Sequence, residues 1–226
     1  IGLGSAVGTT PAISINASQN LELGGTMNLL GFKGPNTDFT NSMLISQDAG
    51  TGTLSSAVSN TGFGYNVFNV LTSGNNNVGM GQEALKSLTS GTHNIAIGSD
   101  AMALNTIGFQ NTAMGSFALD GAVAASRNTA LGYAALSGVT AASATDTENT
   151  AVGGSALQAL TSGTGSTAVG RDAGASSTGD HNVFVGKSAG VDATTGSRNV
   201  FIGKDAGAVG QASATNNNCI YIGEGA

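Results

Sequence analysis

Few side chains in this sequence can do chemistry, and their spacing limits what that chemistry can be. The two histidines, His93 and His181, each stand one residue before the asparagine of a recurring pentapeptide. A metal site needs several ligands converging at one height. No His-x-His pair occurs and the two positions lie five repeats apart, so both are expected as exposed turn residues and not as ligands. Glu83, Asp100, Asp172 and Asp205 each fall six residues after such an asparagine, a spacing that lines them along one edge of a stacked structure. Glycoside hydrolysis takes two carboxylates roughly 5 to 9 Å apart in a groove that holds sugar. Glu83 and Asp100, on adjacent repeats, could satisfy that spacing by accident, but no aromatic platform accompanies them and tryptophan is absent. The row therefore reads as a solvated edge, with Arg171, Lys187 and Lys204 in the neighbouring row offsetting part of its charge.

Nucleophilic and cofactor chemistry find less support. No Ser-His-Asp arrangement stands out, and Gly-x-Gly strings carry no information in a chain with 36 glycines. The single Cys219 excludes an internal disulfide framework and any multi-thiolate metal site. The expectation is a protein with no catalytic, cofactor-binding or metal-binding residue. Ice binding, another use of a flat β-face, wants a regular threonine array. Thr112, Thr129, Thr150 and Thr167 form only a short single row, at a position read as interior.

The element that carries these residues is a repeat. It reads Asn, two small or β-branched residues, one large apolar residue, then Gly. Ten copies begin at Asn60, Asn77, Asn94, Asn111, Asn128, Asn149, Ser166, Asn182, Asn199 and Cys219, spaced by 17, 17, 17, 17, 21, 17, 16, 17 and 20 residues. A blurred eleventh copy, SMLIS, begins at Ser42. A period this short is too small for a helix pair and fits one turn of a β-solenoid. The large residue three after the asparagine, from Phe63, Met80 and Ile97 to Ile202 and Ile222, is assigned to the coil interior. The glycine after it supplies the turn, and the asparagines are expected to stack as an amide ladder, in which Ser166 can stand in but Cys219 cannot.

Two further positions, two and eight after the asparagine, exchange sizes along the chain. From Asn77 to Asn149 the first is small and the second large, as in Ala113 with Leu119, whereas Phe184 and Phe201 face Gly190 and Gly207. Complementary volumes imply one shared space. The copy at Ser166, with Ala168 and Gly174, is small at both and marks a packing switch near Val169. Beyond it Phe184, Phe201 and Tyr221 are expected to stack. The two longer intervals, Val139 to Glu148 and Val209 to Asn218, are where binding specificity is expected to reside.

Composition agrees with a thin, regular core: 40% of residues are apolar but only 5% aromatic and 9% charged. A net charge of −6 with seven scattered Lys and Arg disfavours nucleic acid, and no apolar run is long enough for a membrane span. No signal peptide is evident, and the opening on Ile1 without a methionine suggests a fragment or processed piece. Residues 1–41 show period-two alternation at Ile13/Ile15, Leu21/Leu23 and Met27/Leu29, broken at Gly24-Gly25, Gly31 and Gly34-Pro35-Asn36. They are read as an interwoven strand shaft or collar leading into a coil body over 42–226. So slim a rod stabilises poorly alone, which argues for three chains about one axis.

The copies NTAMGSFAL, NTALGYAAL, NTAVGGSAL and NVFIGKDAG resemble repeats of phage tail-fibre proteins that end in an endosialidase-type intramolecular chaperone. They are also similar to the β-roll heads of trimeric autotransporter adhesins, whose repeat is shorter. LELGGTMNLLGFKG looks like tail-fibre shaft sequence. The resemblance implies a homotrimeric, extracellular virion fibre that joins other tail-fibre subunits and meets a host-surface glycan or protein. It also implies a chaperone, not contained in these residues, that is either removed after assembly or simply not included in this sequence. A bacterial surface adhesin head and a polysaccharide-degrading tailspike are the alternatives.

Overall fold

The computed structural model describes residues 14–15, 21–22, 31–33, 43–46, 55–138, 147–207 and 215–226. Among these the regular elements are all strands: β1 (Ser14–Ile15), β2 (Leu21–Glu22), β3 (Gly31–Lys33), β4 (Met43–Ser46), β5 (Thr61–Phe63), β6 (Val78–Met80), β7 (Ile95–Ile97), β8 (Thr112–Met114), β9 (Thr129–Leu131), β10 (Thr150–Val152), β11 (Thr167–Val169), β12 (Val183–Val185), β13 (Val200–Ile202) and β14 (Ile220–Ile222). Strands β5 to β14 come one per repeat and stack in sequence order in one parallel sheet. Register is set by the motif, so Thr112, Ala113 and Met114 pair with Thr129, Ala130 and Leu131. The protein is a parallel β-solenoid. At a strand spacing of about 4.8 Å its ten coils span roughly 45 Å.

The blurred copy at Ser42 is a true coil position: β4 pairs in parallel with β5, and Leu44 stands beside Gly62, fully buried. In the segment 1–41, β1 and β2 form a separate antiparallel pair, as the alternation at Ile15 and Leu21 implies. Gly31 does not break a strand. It opens β3, which runs antiparallel to β4 with Phe32 opposite Ile45, so this segment edges the main sheet directly. The strand expected at Met27 and Leu29 lies outside the described residues.

Each coil turns through four left-handed or extended positive-φ positions. In the Asn111 coil these are Gln110 (φ 57°), Gly115 (φ 137°), Phe117 (φ 59°) and Leu119 (φ 52°), and the neighbouring coils repeat them. Only Gly115 needs to be glycine, because a Cβ there would meet the carbonyl oxygen of Gly132 in the next coil at 2.4 Å. The other three tolerate larger residues at a cost in strain that stacking hydrogen bonds must offset, for example Phe117 N–H to Ser99 O at 2.9 Å and Leu119 N–H to Ala135 O at 2.9 Å.

The assignment of the residue three after the asparagine to the interior is overturned. Phe63, Met80, Met114, Val169, Val185, Ile202 and Ile222 are all exposed, whereas the residue between the two outward ones is buried, as Ala96, Ala113, Ala130 and Ala151 show. The lumen is narrow and is filled from the far side of the coil by Leu85, Met102, Leu119, Leu136 and Leu157, so only a small residue fits on the strand. Where the strand residue is large, the opposing one is glycine: Cβ atoms at Gly190 and Gly207 would lie 2.3 Å from Phe184 and Phe201. The shared-space expectation is therefore met. Rings of Phe184 and Phe201 stack at 5.3 Å and those of Phe201 and Tyr221 at 4.9 Å.

An asparagine ladder runs beside this core. Asn111 Nδ2 donates to Ala125 O in its own coil (2.8 Å) and to Asn94 Oδ1 in the preceding one (3.0 Å), while Asn111 Oδ1 accepts from the Asn128 N–H (3.0 Å). Ser166 keeps the line unbroken. Its Oγ donates to Gly179 O at 3.3 Å and accepts from the Asn182 N–H at 3.1 Å. Cys219 donates its N–H to Asn199 Oδ1 at 2.9 Å, but its Sγ reaches Asn217 O at 3.5 Å and does not continue the ladder. The asparagines thus satisfy buried carbonyls and hold successive coils in register.

Candidate functional site

The sheet has two faces, and the one away from the lumen is chemically unusual. In every strand from β5 to β14 the first and third residues point outward, and the third is always large and apolar. Exposure reaches 55% at Phe63, 43% at Met114 and 67% at Ile222, in a continuous stripe along the solenoid. Threonines Thr112, Thr129, Thr150 and Thr167 lie on this same outer face, half-buried, and not in the interior to which the sequence reading assigned them. Strand alternation forces the first and third residues onto one face and the second onto the other.

The histidines occupy the left-handed position before the motif asparagine, His93 with φ 58° and His181 with φ 55°. Histidine is among the side chains that enter this region more readily, which accounts for both. Asn76 Nδ2 lies 3.4 Å from His93 Nε2 one coil away. No group of three metal-ligating side chains gathers among the described residues. The same backbone position is occupied by Arg127 and Glu148, which pair at 2.6 Å, with the Arg127 guanidinium 5.4 Å from the Phe109 ring centre.

The acidic row has a conformational cause as well. Glu83, Asp100, Asp172 and Asp205 all sit at positive φ between 55° and 58°. Their partners are as the sequence suggests at Arg171 with Asp172 (3.3 Å) and Lys204 with Asp205 (3.0 Å), the latter lysine also reaching Glu224 at 2.8 Å. Exposed pairs of this kind contribute little to stability. Hydrogen bonding to Glu224 and Asp205 holds the Lys204 ammonium above its usual range, and the Lys204 bond in turn lowers the Asp205 carboxyl.

Glu83 and Asp100, the pair considered for glycoside chemistry, are bridged by a cation. Lys86 Nζ lies 2.5 Å from Glu83 Oε2 and 3.7 Å from Asp100 Oδ1, and its hydrogen bond to Glu83 raises its own pKa. Asp120, which sequence spacing did not single out, stands near this group. Burial pushes its carboxyl up and the Asp100 charge adds to that, while its own N–H, that of Gly121 and the Lys86 charge oppose it. Its Oδ1 is buried without a hydrogen-bond partner among the described residues.

Aromatic side chains gather at the corner just past the glycine turn. Phe117 and Tyr133, on successive coils, meet edge to face at 6.0 Å and 81°, with Tyr133 63% exposed. Of the two longer intervals, residues 139–146 and 208–214 lie outside the described residues, so the expectation that they carry specificity is not addressed by the fold. Among the described residues no helix is long and apolar enough to cross a membrane. No protein-family model, curated protein or solved structure matches the chain.

Proposed function

We propose that this chain is a structural, non-enzymatic segment of a trimeric, phage-type tail fibre, a rod that presents a surface for attachment to a host cell. The observation that carries the reading is the outer stripe from Phe63 to Ile222, apolar at every coil and uncovered in the single chain. A contiguous exposed apolar patch on this scale is an assembly surface. Three parallel rods in register about one axis bring identical residues to each level, Met114 against Met114 and Val169 against Val169, and cover all three stripes at once. The resemblance of the repeats to tail-fibre sequences selects this symmetry and this role. In this arrangement the polar corners remain outside, where a receptor can reach them.

The test is the mass of the folded protein in solution, by light scattering or native mass spectrometry, for the natural chain and for Met114→Glu. The natural chain should be a trimer, and placing three carboxylates at one level of the axis should dissociate it. A natural chain that is a stable monomer or dimer contradicts the assembly. Attachment is tested separately, by asking whether the isolated rod competes with intact particles for host cells.

A further inference from the structure

Five residues after each motif asparagine, at the corner past the glycine turn, successive coils carry Tyr133, Gly154, Arg171, Lys187 and Lys204. Gly154 is out of place there. Its neighbour Gly153 has φ 132°, and a Cβ on it would lie 2.5 Å from the Gly170 carbonyl oxygen, so the turn requires glycine at 153. Gly154 has no such φ, and a Cβ on it would find nothing nearer than the Tyr133 carbonyl oxygen at 3.9 Å and Arg171 Cγ at 4.0 Å. The fold does not ask for glycine at this position. What its missing side chain provides is a notch between the exposed Tyr133 ring and the Arg171 side chain, 65% exposed.

We propose that this notch binds a carboxylate-bearing sugar unit of an acidic surface glycan. The proposal deepens the attachment reading above and rests on it. Tyr133 and Arg171 are two coils apart, about 10 Å along the rod, with one side chain's worth of space cleared between them. Phe117 backs the Tyr133 ring edge-on and fixes its orientation. An exposed aromatic ring offers support to the apolar face of a pyranose. Arg171 Nη1 lies 3.3 Å from Asp172 Oδ2, which orients the guanidinium and leaves its other donors for a ligand carboxylate. Lys187 and Lys204 continue the row at single-coil steps of about 4.8 Å, comparable to the length of one pyranose unit. A linear acidic chain lying along the rod therefore meets an aromatic ring, a gap and then Arg171 and Lys187, before Lys204, whose ammonium is already held by Asp205 and Glu224.

The experiment is titration calorimetry of the full chain with an oligogalacturonate, its fully methyl-esterified form and a neutral maltooligosaccharide. The free acid should bind, at least tenfold more tightly than the ester or the neutral sugar, and more weakly as salt rises. Arg171→Gln, Tyr133→Ala and Gly154→Leu should each weaken binding tenfold or more at unchanged melting temperature. Arg171→Gln, which leaves the turn untouched at a side chain 65% exposed, is the deciding variant. Absence of binding, equal binding of acid and ester, or natural affinity in Arg171→Gln overturns the proposal. Cell competition separates the two readings. If Arg171→Gln blocks attachment as well as the natural rod does, attachment stands and the notch falls. If the natural rod binds the oligomer but not cells, the notch stands and the attachment reading falls.

Discussion

The ring of Phe184 fills the volume that side chains at both Gly174 and Gly190 would occupy, with Cβ positions only 2.6 Å and 2.3 Å from its ring carbons. One aromatic side chain thus displaces the leucine of its own coil and that of the coil before it, which is why the Ser166 copy is small at both positions. Gly190→Leu should overpack this site and lower stability by roughly 1 to 3 kcal/mol. The left-handed backbone adds some strain but accepts leucine, as Leu157 at φ 50° shows at the equivalent place. Adding Phe184→Ala should return much of the loss but not all, because Phe201 also comes within 3.0 Å of the new Cβ. Chemical denaturation of the single and double variants measures both steps, and a double variant no more stable than the single one would break the shared-space argument.

The exchange at Phe184 was legible because volume complementarity is a relation between two positions, and both are visible in a repeat. The period and the amide ladder were legible for the same reason: the motif recurs in register, and Asn at a bend has few other uses. The direction of Met114 and its equivalents was not. Large apolar residues ordinarily mark an interior, but the inner side of this strand faces Leu119, which leaves space there for only a small residue. Asp120 and the Phe117–Tyr133 pair escaped notice because each joins residues of different motif positions on neighbouring coils. A repeat alignment reads columns and is blind to such diagonals.

Replacing Asn111 by alanine should cost more than replacing it by serine. Alanine leaves the Ala125 carbonyl and the Asn128 N–H buried without partners, whereas serine can repeat what Ser166 does with its single hydroxyl. At about 1 to 3 kcal/mol for each stranded group, Asn111→Ala should lose roughly 2 to 6 kcal/mol and Asn111→Ser less than half of that. Equal losses in urea unfolding would mean that the amide contributes through shape and not through its bonds.

His93 tests whether the histidines serve backbone geometry or metal. At φ 58° a β-branched residue is strained, so His93→Val should destabilise by about 1 to 2 kcal/mol, while His93→Gly should be neutral or slightly stabilising. A metal ligand would behave otherwise, with both variants losing stability alike and a chelator lowering the melting temperature of the natural chain alone. Melting curves with and without chelator distinguish the two.

Asp120 should make the rod less stable as pH rises through the carboxylate range. Its carboxyl is held above the ordinary value chiefly by burial, and further by Asp100, against the pull of two backbone N–H groups and Lys86. With the folded pKa above the unfolded one, the folded chain binds more protons across the interval between them. Stability is therefore greatest below the unfolded pKa of about 3.9 and falls as pH climbs through the folded pKa, after which it no longer changes on this account. Asp120→Asn removes the ionisation while keeping the shape. The variant should melt higher than the natural chain at neutral pH, and the difference should shrink toward zero as the pH is lowered past about 3.9. Lys86→Met in the natural background should push in the opposite direction at neutral pH, since it deletes the one cation that favours the ionised carboxyl and leaves Glu83 and Asp100 without their bridge. Melting temperatures of the three proteins across that pH range decide the matter: a constant gap between Asp120→Asn and the natural chain would show that Asp120 does not titrate differently in the folded state.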